Sequence, residues 1–160
     1  PLDPAEPARE KLLWAAFDEI YRHGYQGMRI DTVLENAGLT KGALYHYFAN
    51  KRELAYAVID EVVRVYLKQA WEEKMFSSDD VITELQNVLS ELISLCPEVL
   101  SLGCPLNNLA QEMSGNDEGF SERLTALYTE WTKALVEALQ LGVRSGTVRS
   151  DVDADSVAQR

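Results

Sequence analysis

Apolar side chains recur at intervals of three and four residues along almost the whole chain, and this spacing constrains the fold more than any other feature. An α-helix places residues i, i+3, i+4 and i+7 on one face, whereas a half-buried strand requires strict alternation. Glycine and proline stand at a few points between the periodic segments. The pattern predicts an all-α protein whose helices are separated by short turns.

Charge is distributed unevenly along the chain. Residues 1–52 carry seven basic and seven acidic side chains, whereas residues 53–160 carry eight against 19, which accounts for the net charge of −11. This acidity argues against a protein that coats nucleic acid through general positive charge. The chain therefore has two electrically different parts, a neutral one over residues 1–52 and an acidic one over residues 53–160.

The composition also indicates a cellular compartment. The sequence has no run of about 18 uncharged apolar residues, and its first residues lack the basic and apolar regions of a signal peptide. Two cysteines in a chain of this length do not form a disulfide framework. We expect a soluble, cytoplasmic protein with no membrane partner.

Three short helices are predicted near the N-terminus. Gly24 and Gly38 follow the first two, and Thr40 stands where a helix cap is expected. The predicted helices span about Pro7 to His23, Ile30 to Asn36 and Lys41 to Phe48. Two short helices joined by a glycine turn form a helix-turn-helix.

The third helix of this group has an unusual surface. Helical spacing turns Leu44 and Phe48 inward. The outward side chains are Lys41, Tyr45, His46 and Tyr47, beside the small residues Gly42 and Ala43. Such a helix suits the DNA major groove, and its first N–H groups can hold phosphates. The alternative is that the tyrosines are half-buried packing residues; we favour DNA contact, because so short a helix does not need three exposed rings.

The remaining sequence predicts a larger helical domain. Asn50 caps a long helix that ends near Trp71 and links the two parts. We expect a central helix from Val81 to about Leu95 that ends at Cys96-Pro97, and a shorter one from residues 103–105 to Met113.

The last third of the chain predicts two further helices. After a loop at residues 114–119, the first of them starts at Phe120 and is ended by Gly142 and Gly146. The second starts at Asp153. That helix stops about two turns on, at Arg160, so we expect a C-terminal portion to be missing.

The N-terminal motifs resemble those of the TetR/AcrR family of bacterial repressors. The matching residues keep the family's order and spacing, at positions 24–25, 31–33, 37–42, 44–48 and 51–54. The resemblance implies a homodimer that represses transcription by binding a pseudo-palindromic double-stranded DNA operator. An effector in the C-terminal ligand-binding and dimerisation domain, a small molecule or an electrophile, would release the DNA.

The family's DNA contacts can be carried over residue by residue. The positions that hold phosphates are Thr40, Tyr45, Tyr47 and Lys51, and those that face base edges are Lys41, Gly42, Ala43 and His46. Family members often carry a threonine or serine where this chain has Met28-Arg29. Arg29 is therefore added as a phosphate contact.

Cys104 is a candidate sensor of the effector. It precedes Pro105 at a predicted helix N-terminus, where the partial positive charge stabilises a thiolate. The surrounding stretch resembles a subgroup with a cysteine at this place, some members of which respond to electrophiles or oxidants. Free cysteine is more often a small buried hydrophobe, and we favour that interpretation here and for Cys96.

Six other side chains are candidates for effector binding. Asn107, Asn108 and Gln111 could present amides to a ligand, and the alternative is that they face solvent. Trp71, Tyr128 and Trp131 could line a pocket, but aromatic residues on an apolar stripe are more often core, and we favour that.

Catalytic and cofactor motifs are absent from the sequence. His23 and His46 lack metal-ligand spacing, and neither a nucleophile elbow nor a glycine-rich phosphate loop occurs. We expect no enzymatic activity, metal or cofactor. Two other interpretations stay open: an effector-independent DNA-binding or architectural protein, and an acidic helical protein-interaction module.

Overall fold

A computed structural model describes residues 7–94 and 97–159 of the chain, and all regular structure within these ranges is helical. The all-α prediction is confirmed. The helices are α1 (Pro7–Gly27), α2 (Ile30–Ala37), α3 (Lys41–Tyr47), α4 (Lys51–Met75), α5 (Val81–Ser94), α6 (Pro97–Leu102), α7 (Pro105–Met113), α8 (Glu118–Ser145) and α9 (Ala154–Ala158).

Helix α1 is broken near its C-terminal end. Gly24 has φ 74° and ψ 169°, backbone angles that a residue with a side chain adopts only with strain. The chain then makes one more turn, which ends at Gly27. The prediction that Gly24 ends the helix is therefore correct for the regular part. The extra turn leads directly into Met28 and the start of α2.

Helices α2 and α3 form the predicted helix-turn-helix. Gly38 closes α2 in the left-handed conformation at φ 66°, and the Oγ1 of Thr40 accepts a hydrogen bond from the N–H of Ala43 at 3.3 Å. Leu44 and Phe48 are 0% and 4% exposed, as expected. These two side chains anchor α3 and determine which face it presents outward.

Helix α4 begins at the predicted cap. The Oδ1 of Asn50 accepts a hydrogen bond from the N–H of Glu53 at 3.0 Å. The helix then runs to Met75, with π-helical turns at Val58–Val63 and Lys68–Glu72. It extends about one turn beyond the predicted end.

The chain divides into two compact units that are discontinuous in sequence. One contains the residues up to Val65 together with Leu102–Leu124, and the other contains Tyr66–Ser101 and the residues from Thr125 onward. Fully buried side chains of the first unit include Leu12, Leu13, Val33, Leu44, Leu54 and Phe120. The core of the second includes Met75, Val81, Ala138, Leu139 and Val148.

Helix α5 is not the central helix that the sequence predicted. Of its apolar side chains, Val81 and Val88 are buried, whereas Ile82, Leu89 and Ile93 are 39%, 50% and 75% exposed. The apolar stripe of α5 is wider than the core surface of the second unit that covers it. Only the edge of the stripe that contains Val81, Leu85 and Val88 is packed. Cys96, predicted to be core, lies outside the described residues, and helix α6 was not predicted.

Helix α8 continues through Gly142, which was predicted to help end it. Gly142 is buried against Val81 and Val148, and the helix ends three residues later, before Gly146. Because Gly142 has no side chain, Val81 and Val148 can pack closely against the helix at this position. The loop before α8 is also shorter than predicted, because the helix begins at Glu118.

The predicted start of the final helix is confirmed. The Oδ1 of Asp153 accepts a hydrogen bond from the N–H of Ser156 at 3.2 Å, which caps α9. Over the ranges that the structure describes, no helix combines the length and apolar character needed to cross a membrane.

Candidate nucleic-acid interface

Helix α3 presents a polar and aromatic surface to the outside. Lys41, Tyr45 and His46 are exposed, Tyr45 at 55% of its area, while Leu44 beneath them is fully buried. The alternative interpretation of Tyr45 as a half-buried packing residue is therefore wrong. A ring this exposed contributes little to the stability of the module and is available to a partner.

Tyr47 occupies the edge of this surface. It is half-buried, its ring lies 4.9 Å from that of His46 in an edge-to-face arrangement, and it packs against Phe48 at 6.4 Å. The packing interpretation therefore applies to this ring. The contact also restricts the orientations open to His46.

Lys41 is paired across the helix-turn-helix. Its Nζ lies 3.0 Å from the Oδ1 of Asp31, and both side chains are largely exposed. The hydrogen bond that Lys41 donates to Asp31, followed by the negative charge of Asp31, raises the pKa of Lys41. The raised pKa keeps the ammonium group charged. Because exposed ion pairs of this kind are weak, the group can exchange Asp31 for another partner.

The small residues of α3 leave room above the helix. A Cβ built on Gly42 would meet only the Oγ1 of Thr40, at 3.8 Å, which is ordinary van der Waals contact. Internal packing therefore does not require glycine at this position. Ala43 is half-buried beside it, and Arg29, just before α2, is exposed.

Lys51 has internal partners. Its Nζ donates hydrogen bonds to the carbonyl oxygens of Met28 at 2.7 Å and Gln26 at 3.2 Å, and it lies 5.0 Å from the centre of the Tyr25 ring. Burial lowers the pKa of Lys51, while the charges of Glu112 and Glu19 oppose this shift. The side chain therefore fastens the start of α4 to the end of α1.

The sequence did not reveal that α7 also holds the end of α1. The two carboxylate oxygens of Glu112 accept hydrogen bonds from the N–H groups of Tyr25 and Gln26, each at 2.8 Å. The hydroxyl of Tyr21 donates to the carbonyl oxygen of Gly103 at 2.6 Å. Backbone groups supply one side of each contact, so no pattern of residue types could have predicted them.

A second group of contacts joins α4 to the start of α8. The Tyr56 hydroxyl donates to the Oδ1 of Asp117 at 2.5 Å, and this oxygen also accepts from the N–H of Phe120 at 3.1 Å. The guanidinium group of Arg123 lies 4.0 Å from the centre of the Tyr56 ring and 3.0 Å from the Oδ2 of Asp60. The candidate DNA-facing helices thus share one compact unit with residues 102–124.

Known families match both parts of the chain. Residues 12–58 match the family described as bacterial regulatory proteins, tetR family, and residues 81–160 match the tetracyclin repressor-like C-terminal domain. An HTH-type transcriptional regulator from the lacX 3′ region of Lactococcus lactis subsp. lactis is 32% identical over 132 residues, 82% of this chain and 67% of that protein. The chain belongs to the tetR family.

Two further comparisons agree with this assignment. The HTH-type transcriptional regulator LmrA of Bacillus subtilis (strain 168) is 31% identical over 136 residues, which cover 83% of this tetR-family chain and 71% of LmrA. The crystal structure of regulatory protein TetR from Rhodobacter sphaeroides shares the fold, with a TM-score of 0.81 and 23% identity over 95% of this chain and 81% of the other. The protein is a DNA-binding transcriptional regulator and not an enzyme.

The structure places the candidate sensor of this tetR-family protein at the surface. Cys104 is exposed at the cap position of α7, with Pro105 in the first turn. The interpretation of Cys104 as a buried hydrophobe, which we favoured, is wrong. Cys104 precedes the helix, and the next two side chains, those of Pro105 and Leu106, are the buried ones.

The polar candidates of α7 face solvent. Asn107, Asn108 and Gln111 are exposed, as the alternative interpretation expected. The Nδ2 of Asn108 donates a hydrogen bond to the carbonyl oxygen of Leu102 at 2.6 Å, which closes the turn between α6 and α7. This amide therefore has a structural partner.

The aromatic candidates behave differently from one another. Trp71 and Trp131 are half-buried and meet edge to face at 6.0 Å, so they extend the core of the second unit. Tyr128 is 37% exposed, and its assignment to the core is wrong. It lies on an open groove of about 700 Å³ along α8, lined also by Thr125, Thr132, Val136 and Gln140.

Replacing Tyr56 with phenylalanine should reduce stability by about 1.5 kcal/mol, because the hydroxyl donates to a carboxylate. Burial, followed by Asp117, raises the pKa of Tyr56 from 10.0 to about 12. Between those values the unfolded chain loses the proton that the folded protein keeps, so stability falls as pH rises. Urea unfolding should show a difference between wild type and Y56F that is full below pH 10 and shrinks toward pH 12. If the stability difference between wild type and Y56F did not change over this pH range, the raised pKa of Tyr56 would be contradicted.

Proposed function

We propose that this protein is a transcriptional repressor that binds a pseudo-palindromic DNA operator as a homodimer. The observation that supports this most directly is the α3 surface, because buried Leu44 and Phe48 hold exposed Lys41, Tyr45 and His46 outward. Residues 1–52 contact DNA, and residues 53–160 bind the effector and the second subunit. The protein acts in the cytoplasm, where its operator is accessible.

Each predicted contact has one of two roles on the operator. The phosphate contacts are Arg29, Thr40, Tyr45, Tyr47 and Lys51, and the base-edge contacts are Lys41, Gly42, Ala43 and His46. The ammonium group of Lys51 has three N–H donors, and its carbonyl partners at Gln26 and Met28 use two of them. Phosphate contacts establish the position of the helix, and base contacts establish sequence preference. Two subunits place their α3 helices in successive major grooves, about 34–36 Å apart.

Release of the operator follows from a shift between two arrangements of the dimer. A small molecule or an electrophile binds the C-terminal domain. Cys104 in the first compact unit and the groove beside Tyr128 in the second are two separate candidate sites for it. Such an effector acts only through different affinities for the DNA-bound and released arrangements. The exposure of Cys104 supports its accessibility to an electrophile.

Selection of genomic fragments by the purified chain, with sequencing of the bound DNA, tests this proposal. We expect enrichment of a palindromic site, with affinity that falls steeply as salt concentration rises. Salt-dependent binding without enrichment would instead indicate an architectural protein. Absence of any duplex binding would indicate a protein-interaction module.

Two substitutions on α3 should separate phosphate contact from base contact. We expect Tyr45→Phe to weaken binding to operator and random duplex alike, by about 1 kcal/mol, because it removes one neutral hydrogen bond. His46→Ala should reduce discrimination at one or two base pairs by about 1–3 kcal/mol. Both side chains are exposed, so both variants should fold normally.

Competition titrations with the selected operator, single-base variants and random duplex measure both effects. Equal loss on all these duplexes for His46→Ala would remove that residue from base recognition. A change in base preference for Tyr45→Phe would remove it from the phosphate set.

A further inference from the structure

The break in α1 connects the regular part of that helix to the helix-turn-helix, and we call residues 24–28 the joint. After Gly24, one turn ending at Gly27 leads to Met28, which is 3% exposed, and α2 begins at Ile30. A change in direction at this joint therefore changes the direction of α2 and, through the closed turn at Gly38, that of α3. The conformation of the joint therefore determines the direction in which α3 presents its exposed surface.

Glu112 of α7 caps this joint from a distant part of the sequence. The non-helical angles at Gly24 start a new turn, whose first N–H groups require acceptors outside the helix. The carboxylate of Glu112 accepts from Tyr25 and Gln26, with one oxygen for each N–H group. Charged acceptors form the stronger class of hydrogen bond, so this cap fixes the turn more firmly than a neutral side chain could.

The same joint is held on its other side by α4. The Nζ of Lys51 donates to the carbonyl oxygens of Gln26 and Met28, and the charge of Glu112 acts on that ammonium group. A Cβ at position 24 would come within 2.7 Å of the Oε2 of Glu112, so the carboxylate fits closely against the glycine. The joint is thus clamped between an acid and a base from two different helices.

We infer that Glu112 is a positioning residue for operator recognition, holding the turn after Gly24 in the conformation that presents α3 to DNA. The inference rests on the proposed repressor function. Cys104 is the exposed N-cap of α7 and the exposed Gln111 lies within the helix, so an effector contact at either residue belongs to the same segment, residues 104–113, as Glu112. Movement of α7 would withdraw the carboxylate and leave two N–H groups of the joint without their acceptors.

Glu112→Gln is the variant that tests this role, since it keeps the shape of the side chain, removes its charge and leaves one acceptor oxygen for the two N–H groups. Glu122→Gln is the matched control, because Glu122 is an exposed acid of the same compact unit. We expect Glu112→Gln to weaken binding to the selected operator about tenfold, within the usual range of coupling between sites. Affinity for random duplex should change by less than about twofold, because non-specific binding comes from the sequence-independent attraction between basic side chains and phosphates.

Hydrogen exchange provides a second readout that a merely structural role would not move. In the wild type, operator binding should slow exchange at the amides of Tyr25 and Gln26, and Glu112→Gln should reduce that protection. Melting temperatures of both variants should lie within a few degrees of wild type, and circular dichroism verifies that both fold.

Three outcomes are decisive. Loss of operator affinity by Glu112→Gln alone, with random binding kept, supports the inference. Equal operator affinity for wild type and Glu112→Gln, or a proportional loss on operator and random duplex, overturns it while leaving the repressor proposal intact. If the wild type selects no operator, the repressor proposal itself fails, and the inference fails with it.

Discussion

Replacing Phe120 with alanine is expected to reduce the free energy of unfolding by about 3–5 kcal/mol. The ring is 0% exposed and lies 4.7 Å from the ring of Tyr25 and 5.1 Å from that of Tyr56. Its removal leaves a cavity between residues 102–124 and the N-terminal helices of the same unit. Because a marginally stable domain has about 5–15 kcal/mol in total, this single change should remove much of the folded population at elevated temperature.

Chemical denaturation followed by circular dichroism measures this loss. Phe76→Ala is the control, because Phe76 is 41% exposed in the turn after α4 and should cost less than about 1 kcal/mol. Similar losses for the two variants would mean that Phe120 does not join these segments.

Gly142→Ala should destabilise the protein although it lies inside a helix. On an exposed helix, this change stabilises by about 0.5–1 kcal/mol, because alanine loses less backbone entropy on folding. Here a Cβ would come within 2.6 Å of the Cγ2 of Val148 and 3.0 Å of the Cγ1 of Val81. Overpacking of this kind costs about 1–3 kcal/mol, so the net effect should be a loss.

Thermal denaturation of Gly142→Ala and of Gly42→Ala checks this sign. Gly42 also lies inside a helix, and a Cβ there would meet only the Oγ1 of Thr40 at 3.8 Å, so that variant reports the backbone effect without a clash. A melting temperature above wild type for Gly142→Ala would show that the surrounding valines can move aside.

Local signals in the sequence predicted the helix-turn-helix well. Thr40, Asn50 and Asp153 cap helices at the positions expected of them, and Gly38 closes α2. Each of these roles depends on hydrogen bonds within four residues along the chain. Information of that kind is present in a single sequence.

Predictions that depended on tertiary packing were less successful. The sequence could not show that Gly142 is enclosed by Val81 and Val148, nor that the wide apolar stripe of α5 is covered along only one edge. The internal partners of Lys51 and the carboxylate clamp at Glu112 were also missed. The partners Val81 of Gly142, Gln26 and Met28 of Lys51, and Tyr25 and Gln26 of Glu112 all lie more than 20 residues away, so residue type carried no signal for these contacts.

The discontinuity of the first unit has a consequence for the order of folding. Residues up to Val65 and Leu102–Leu124 share one core, so Phe120 reaches its place only after the intervening residues have been synthesised. Contacts so far apart in sequence close a large loop, which slows folding. During translation, helices α1, α2 and α3 therefore emerge from the ribosome well before the segment that completes their core. The nascent chain should gain its ability to bind an operator late, after residue 124 has left the ribosome.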